Sequence, residues 1–245
     1  MKKYAWLLIL GVLVLSLLLS SCGSSTAKIR IATDATWPPF EFVNEQTKEI
    51  EGFDIDIMKA IAEKEGLDVE FVNVGWDPLL AGVAQGTYDA AISSITITEE
   101  RKKVMLFSDP YFEAGQIIVV RIDNMTITGK DTLAGIVGSQ LGTTGSFEVE
   151  KIAAATLKTY DDIGLAFQDL INGQIDAVVC DNPVALNYTG QNPDKLKTAG
   201  GTFTEENYGI ALAKGQEDLL EKINAGIAAL KAEGKFEEFS KKWLE

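Results

Sequence analysis

Short β-forming runs alternate with amphipathic helical stretches along this chain, and after a β-rich interruption the alternation starts again. That doubled pattern limits the available folds more than any other feature, because it calls for largely parallel strands with helices as crossovers. In the first series, Ile29 and Ile31 stand two apart ahead of a turn at Trp37-Pro38-Pro39. Residues 54–65 place Ile57, Met58, Ile61 and Ala62 on one helical face, and Gly66 supplies a stop. Residues 69–74 read as a strand, Asp77-Pro78 as a helix start closed by Gly86, and residues 90–93 as a third strand. A short basic helix follows from Glu99. Residues 117–120 are strongly β-forming and long enough to cross between lobes. The second series has strands at 134–137 and 177–180, a turn at 142–145, and helices from Ser146, over 162–172 and from Asn182-Pro183. Residues 208–213 make a second β crossing. A helical stretch over 216–243 carries Leu219, Leu220, Ile223, Ile227 and Leu230 on one face. Two α/β halves joined by two crossings predict two lobes and a cleft, a preferred place for ligands.

Composition then removes several chemistries. Among 245 residues there is no histidine, which excludes a Ser-His-Asp triad, an imidazole base and histidine metal ligands. Two cysteines, Cys22 and Cys180, exclude a four-thiolate zinc site and a disulfide framework. A formal charge of −14 suits neither nucleic acid phosphates nor an anionic membrane surface.

The N-terminus reads as an address. Lys2 and Lys3 precede an apolar run from Ala5 to Leu19, and Leu19-Ser20-Ser21-Cys22 ends it with small residues before a cysteine. Residues 1–21 fit a signal peptide, with an uncleaved N-terminal membrane helix as the alternative. Leu-Ser-Ser-Cys resembles a bacterial lipobox, which implies acylation of Cys22 and a flexible tether over residues 22–27. After such processing Cys180 is the only free thiol.

Several motifs appear in order: Ile29-Arg30-Ile31-Ala32-Thr33-Asp34, Trp37-Pro38-Pro39-Phe40-Glu41-Phe42, Gly52-Phe53-Asp54-Ile55-Asp56 and Ser93-Ser94-Ile95-Thr96-Ile97-Thr98-Glu99-Glu100-Arg101. Phe107-Ser108-Asp109-Pro110-Tyr111, Gly142-Thr143-Thr144-Gly145, Asp176-Ala177-Val178 and Tyr208-Gly209-Ile210-Ala211 continue the series. Together they resemble the polar amino acid-binding proteins of ABC importers, solute-binding protein family 3. The resemblance implies a periplasmic-binding-protein-like α/β fold of type II, with the second lobe inserted in the first. Residues 28–113 and 209–245 would form the first lobe, and 114–208 the second with its hinge strands.

It also implies residue roles. Arg101 matches the arginine that clamps an α-carboxylate, and its planar fork makes two parallel hydrogen bonds that lysine cannot reproduce. Read without the resemblance, Arg101 sits in a charged run that would face solvent. Ser94, Ile95 and Thr96 fall in the stretch that holds the ligand's carboxylate and amino group, whereas Thr98 reads as a helix cap. Thr143 and Thr144 lie in a glycine-flanked turn whose backbone N–H groups can receive an anion. Asp181 matches the carboxylate that meets the α-ammonium, with helix capping as its competing role; Asn182 can take the cap. Trp37 and Trp76 match aromatic walls around the ligand side chain, and Asp34 an acidic position facing a side-chain nitrogen; Gln140, just before the glycine-threonine turn, is expected to face the side chain too. A carboxylate beside two indole faces suits a cation. Departures from relatives are a missing first-lobe disulfide and Cys180 standing where others carry glutamine or histidine.

The function implied is a lipid-anchored, extracytoplasmic monomer that captures a polar L-amino acid, arginine favoured over lysine or glutamine, and delivers it to an ABC permease. No catalysis, cofactor, metal or nucleic acid is expected. The alternatives are a cyclohexadienyl or arogenate dehydratase-like enzyme on the same fold and an amino acid sensor subunit.

Overall fold

Residues 28–245 are described in the computed structural model. The expected signal peptide, Cys22 and the tether lie outside the described residues.

Two five-stranded sheets carry the chain, and they share one strand order. In the first sheet Val69–Asn73 and Ala90–Ala91 flank Ile29–Thr33 in parallel, followed by Ala211–Leu212 and Leu106–Phe107. In the second, Ala155–Tyr160 and Ala177–Asp181 flank Gly135–Gln140 in parallel, followed by Gln116–Arg121 and Leu196–Ala199. The fourth strand of each sheet runs against both neighbours. Parallel pairing follows from the strand–helix–strand alternation, as expected. The reversal arises because each fourth strand is entered from the opposite lobe rather than through a helix.

Those entries are the two crossings. Phe112–Ala114 pairs antiparallel with Glu206–Tyr208, with Phe112 opposite Tyr208. The expectation of a crossing at residues 117–120 is therefore corrected: those residues lie inside Gln116–Arg121, with strands on both sides. Ile117, Ile118, Val119 and Val120 are all buried, and a continuous apolar run marks a strand covered on both faces. The second expected crossing splits into Glu206–Tyr208, which crosses, and Ala211–Leu212, which joins the first sheet. Phe40, Phe53, Phe112 and Tyr208 pack around the crossing pair with ring centroids 5.0–5.6 Å apart.

Helices follow their periodic signals. Phe53–Glu65 buries Phe53, Ile57, Met58 and Ile61 and ends at Gly66, whose φ of 64° is left-handed. Trp76–Ala84 begins ahead of Asp77, with Gly75 at its N-cap and no side-chain cap. The helix expected from Ser146 begins at Thr144, because the Thr143 hydroxyl accepts the Ser146 N–H at 3.3 Å. Asp162 caps Ile163–Ile171 by accepting from Gly164 N–H at 2.6 Å. The C-terminal helical stretch divides at Gly234 into Glu217–Ala232 and Lys235–Trp243. Glu217–Ala232 lays Ile223, Gly226, Ile227 and Leu230 against Phe53–Glu65, the pairing that periodicity alone does not reveal. Among the described residues no helix is long and apolar enough to cross a membrane.

Candidate functional site

Strand ends from both sheets converge on one small cavity. Trp37, Trp76, Ser93, Ser94, Thr96 and Arg101 come from the first lobe, and Thr143, Thr144 and Asp181 from the second. Its volume is about 10 Å³, room for one water, so the lobes must part to admit anything larger.

Arg101 stands on the short helix Glu99–Lys102, capped by Thr98, whose hydroxyl accepts the Arg101 N–H at 3.2 Å. Its side chain turns away from its charged neighbours into the cleft and is 8% exposed, which removes the solvated-face alternative. Nη1 donates to the Thr96 carbonyl at 2.8 Å, and Nη2 donates across the cleft to the Gly142 carbonyl at 3.3 Å. The guanidinium lies 5.2 Å from the Trp76 ring centroid. Burial lowers its pKa to about 10, so it keeps its charge at neutral pH.

Asp181 occupies the N-cap position of Asn182–Gln191 but caps nothing. Its two oxygens accept from Gln116 Nε2 and the Tyr208 hydroxyl. Nor does Asn182 cap, contrary to expectation; its Oδ1 accepts the Gly115 N–H at 3.0 Å, fixing the chain as it enters the second sheet. Burial, then the nearby Glu206 charge, push Asp181 up to about 7. Glu206, on the second crossing strand, ties the lobes together. Its Oε2 accepts from Thr96 at 2.7 Å and Thr144 at 2.9 Å, while Oε1 accepts from Thr204 at 3.0 Å and Gln116 Nε2 at 3.2 Å.

Other candidates are placed differently from expectation. Asp34 is 2% exposed and lies behind the cavity wall. Its carboxylate accepts from Gln140 Nε2 and from Thr36 Oγ1, both at 2.9 Å, and Gln140 Oε1 accepts from Trp37 Nε1. Asp34, Gln140 and Trp37 therefore form a bonded chain across the lobes in which only Trp37 lines the cavity. Burial raises the Asp34 pKa, opposed by those hydrogen bonds. Ile95 packs its side chain in the core beside Trp76 and Leu79 and does not line the cavity. Its carbonyl accepts the Gly209 N–H at 3.0 Å. The Thr143 hydroxyl is used in capping and in donating to the Gln140 carbonyl at 2.8 Å. Cys180 points into the core, as strand alternation from Asp181 requires, and burial raises its pKa well above the ordinary thiol range.

Sequence reasoning missed Gln116, Glu206 and Tyr208 as polar members of the site. Gln116 is opposite Asp181 in an antiparallel register, information that no local pattern carries. Tyr208 had a signal, its place in a quoted motif, but its hydroxyl partner is remote in the chain.

Two α/β lobes that close on a cavity walled by opposite charges define a two-lobed binding protein of the type II periplasmic kind. The chain belongs to the bacterial extracellular solute-binding proteins, family 3, matched over residues 29–245. It is 32% identical to a probable histidine-binding protein of Neisseria gonorrhoeae, over 94% of this chain and 91% of the relative. It is 35% identical to ABC transporter arginine-binding protein 1 of Escherichia coli strain K12, over 95% of this chain and 98% of the relative. The solved structure of an ancestral arginine-binding protein bound to arginine superposes with a TM-score of 0.85 at 45% identity. That match covers 89% of this chain and 98% of the ancestral one.

Proposed function

We propose that this protein captures a polar L-amino acid, arginine above others, between its lobes and delivers it to an ABC permease from an extracytoplasmic, lipid-anchored position. The observation that carries the reading is the pair Arg101 and Asp181, opposite charges from separate lobes on one cavity. A zwitterion placed between them meets the guanidinium with its carboxylate and Asp181 with its ammonium. Ser94, Thr96, Thr143 and Thr144 supply hydroxyl or backbone groups around the two ends. Because neither lobe holds both ends, ligand stabilises the closed arrangement, which couples binding to closure. The family supports presentation of that closed form to a permease, and the lipobox-like stretch ending at Cys22 supports the anchor.

Selectivity belongs to groups that do not touch the shared zwitterion. Trp37 and Trp76 offer ring faces, and Asp34 offers a carboxylate behind them whose present donor is the Gln140 amide. An incoming guanidinium replaces that amide donor with a charged one. Relatives named for arginine and histidine support a nitrogen-bearing side chain. A calorimetric screen of the twenty L-amino acids on refolded, ligand-stripped protein tests the reading. Arginine is expected to bind most tightly, lysine or glutamine next and glutamate last; micromolar affinity corresponds to about 8 kcal/mol. Asp34→Asn is expected to weaken arginine at least tenfold more than glutamine. Glutamate outcompeting arginine, or an equal loss for arginine and glutamine in the variant, overturns the cationic pocket. Conversion of a cyclohexadienyl compound in a turnover assay would instead favour the enzyme, with Asp181 as its acid.

A further inference from the structure

Beneath the first-lobe wall of the cavity lie two carboxyl groups that the reading above does not use. Glu41 and Asp54 are both fully buried, with 0% exposure. Their proximity is built into the backbone. Gly52 turns at φ 138° against Phe40, where a Cβ would sit 2.0 Å from the Phe40 carbonyl oxygen, and the Asp54 N–H donates to that oxygen at 3.0 Å. The first residues of the helix Phe53–Glu65 are thereby pinned beside Glu41.

One oxygen of each group has neutral donors. Glu41 Oε1 accepts from Ser93 Oγ at 3.2 Å, and Asp54 Oδ2 accepts from Ser94 N–H and the Tyr111 hydroxyl, both at 2.7 Å. The remaining oxygens, Glu41 Oε2 and Asp54 Oδ1, are buried with no other partner. Two ionised carboxylates in contact, without a bonded cation, would be heavily penalised in such a site. One proton removes both defects: Glu41 Oε2 becomes a donor, Asp54 Oδ1 its acceptor, and two charges become one. Burial, then the Asp54 charge and the bond to it, raise Glu41 well above the ordinary carboxylate range. Burial also raises Asp54, but its donors at Ser94, Tyr111 and Glu41 hold it near 6. The charged or titratable groups facing the pair are Tyr111, ahead of the first crossing strand, and Asp34.

The pair reaches the cavity through two loops. Asp54 holds the Ser94 N–H while Ser94 sits at φ 49°, a left-handed conformation that costs a non-glycine residue free energy unless it is held. Glu41 receives the Ser93 hydroxyl, which in turn accepts the Asp34 N–H at 2.9 Å. Ser94 and Asp34 thus hang from one buried unit. We propose that Glu41 and Asp54 share a single proton, and that this bonded pair is the positioning device that sets Ser94 at the ligand cavity and Asp34 behind its wall. The inference rests on the reading of Ser94 and Asp34 as ligand-site residues.

Glu41→Gln, Asp54→Asn and the double variant test it, each as the full chain. In Glu41→Gln the amide N–H replaces the shared proton and the carbonyl still receives Ser93. In Asp54→Asn the amide donates to an ionised Glu41 and its oxygen keeps Ser94 and Tyr111. Both singles preserve one donor between the groups. The double variant sets two amide NH₂ groups against each other, or flips the amide at position 41 and loses the Ser93 hydroxyl. Three readouts apply, two of them independent of ligand. Infrared spectra should contain a protonated-carboxyl stretch at neutral pH that Glu41→Gln removes. Amide exchange at Ser94 and Asp34 should stay slow in the singles and accelerate at least tenfold in the double, with Val178 in the second sheet unaffected. L-arginine affinity should fall at least tenfold beyond the product of the two single effects. A carboxyl band that Glu41→Gln leaves unchanged overturns the shared proton, and additive effects on exchange overturn the positioning role. If the unmutated protein binds no amino acid, the proposed function fails, while the band and the exchange rates still decide the pair.

Discussion

Replacing Arg101 with lysine keeps the positive charge and changes its shape, which makes it the sharpest test of the carboxylate clamp. In the closed protein the guanidinium already spans the cleft, with Nη1 on the Thr96 carbonyl and Nη2 on the Gly142 carbonyl. A planar fork can satisfy those carbonyls and a ligand carboxylate together, because it has five donors; an ammonium has three on a single atom. Lysine therefore forfeits at least one charge-assisted bond, worth about 1.5–3 kcal/mol. Converted at about 1.4 kcal/mol per decade, the dissociation constant for arginine rises about 10- to 150-fold. Isothermal calorimetry on refolded, ligand-stripped protein reads this directly, and circular dichroism checks that the variant folds. Argininamide, which lacks the carboxylate, supplies the second half of a cycle. It should bind the unmutated protein far more weakly than arginine does, and Arg101→Lys should narrow that gap. A folded variant with an unchanged dissociation constant, or an unchanged gap, means that Arg101 only braces the cleft.

Three further outcomes follow from features already described. Asp181 has a folded pKa near 7 against an ordinary 3.8, because burial and then the Glu206 charge hold its proton on until pH nears neutrality, where it ionises. Its stabilising contribution is complete below the ordinary range and is lost as pH rises through about 7. At about 1.4 kcal/mol per pH unit, this removes up to about 4 kcal/mol. Urea unfolding across that window should therefore show a steeper fall for the unmutated protein than for Asp181→Asn, and equal slopes refute the assignment. Gly226→Ala brings a Cβ within 2.8 Å of Ile61 and should destabilise by about 1–3 kcal/mol as the two helices are forced apart; an unchanged melting temperature argues against that close approach. Cys22→Ala should leave an unprocessed precursor without fatty-acid label, and label persisting on that variant excludes the anchor.

Elements whose information is local were legible in the sequence. The helix Phe53–Glu65 has both its apolar face and its glycine stop within one stretch, and Asp162 sits where its helix needs a cap. Residues 117–120 misled because β-propensity announces a strand without saying which strands flank it; burial on both faces put this one inside a sheet. The site divides in the same way. Arg101 was recognisable through the serine–threonine stretch before it, although its own charged neighbours argued for solvent. Asp34 was recognisable through its motif and Gln140 through its place before the glycine-threonine turn, yet their mutual bond spans 106 positions and withdraws both from the cavity wall. Glu206 carried no local mark, since its partners Thr96 and Thr144 come together only when the lobes meet.

The reversed fourth strand of the first sheet has a consequence for the order in which the molecule is made. Leu106–Phe107 stands at a sheet edge, and its one strand neighbour among the described residues is Ala211–Leu212, about a hundred positions later. During synthesis from the N-terminus, every strand of the second sheet leaves the ribosome before that neighbour exists. The second lobe can therefore complete its sheet while the first still has an open edge and uncovered apolar residues on Phe53–Glu65. Closure of the first lobe waits for the C-terminal segment, whose helix Glu217–Ala232 covers Ile57 and Ile61. A chain truncated before Ala211 thus leaves a finished lobe attached to an unfinished one, which a protease would trim from the N-terminal side.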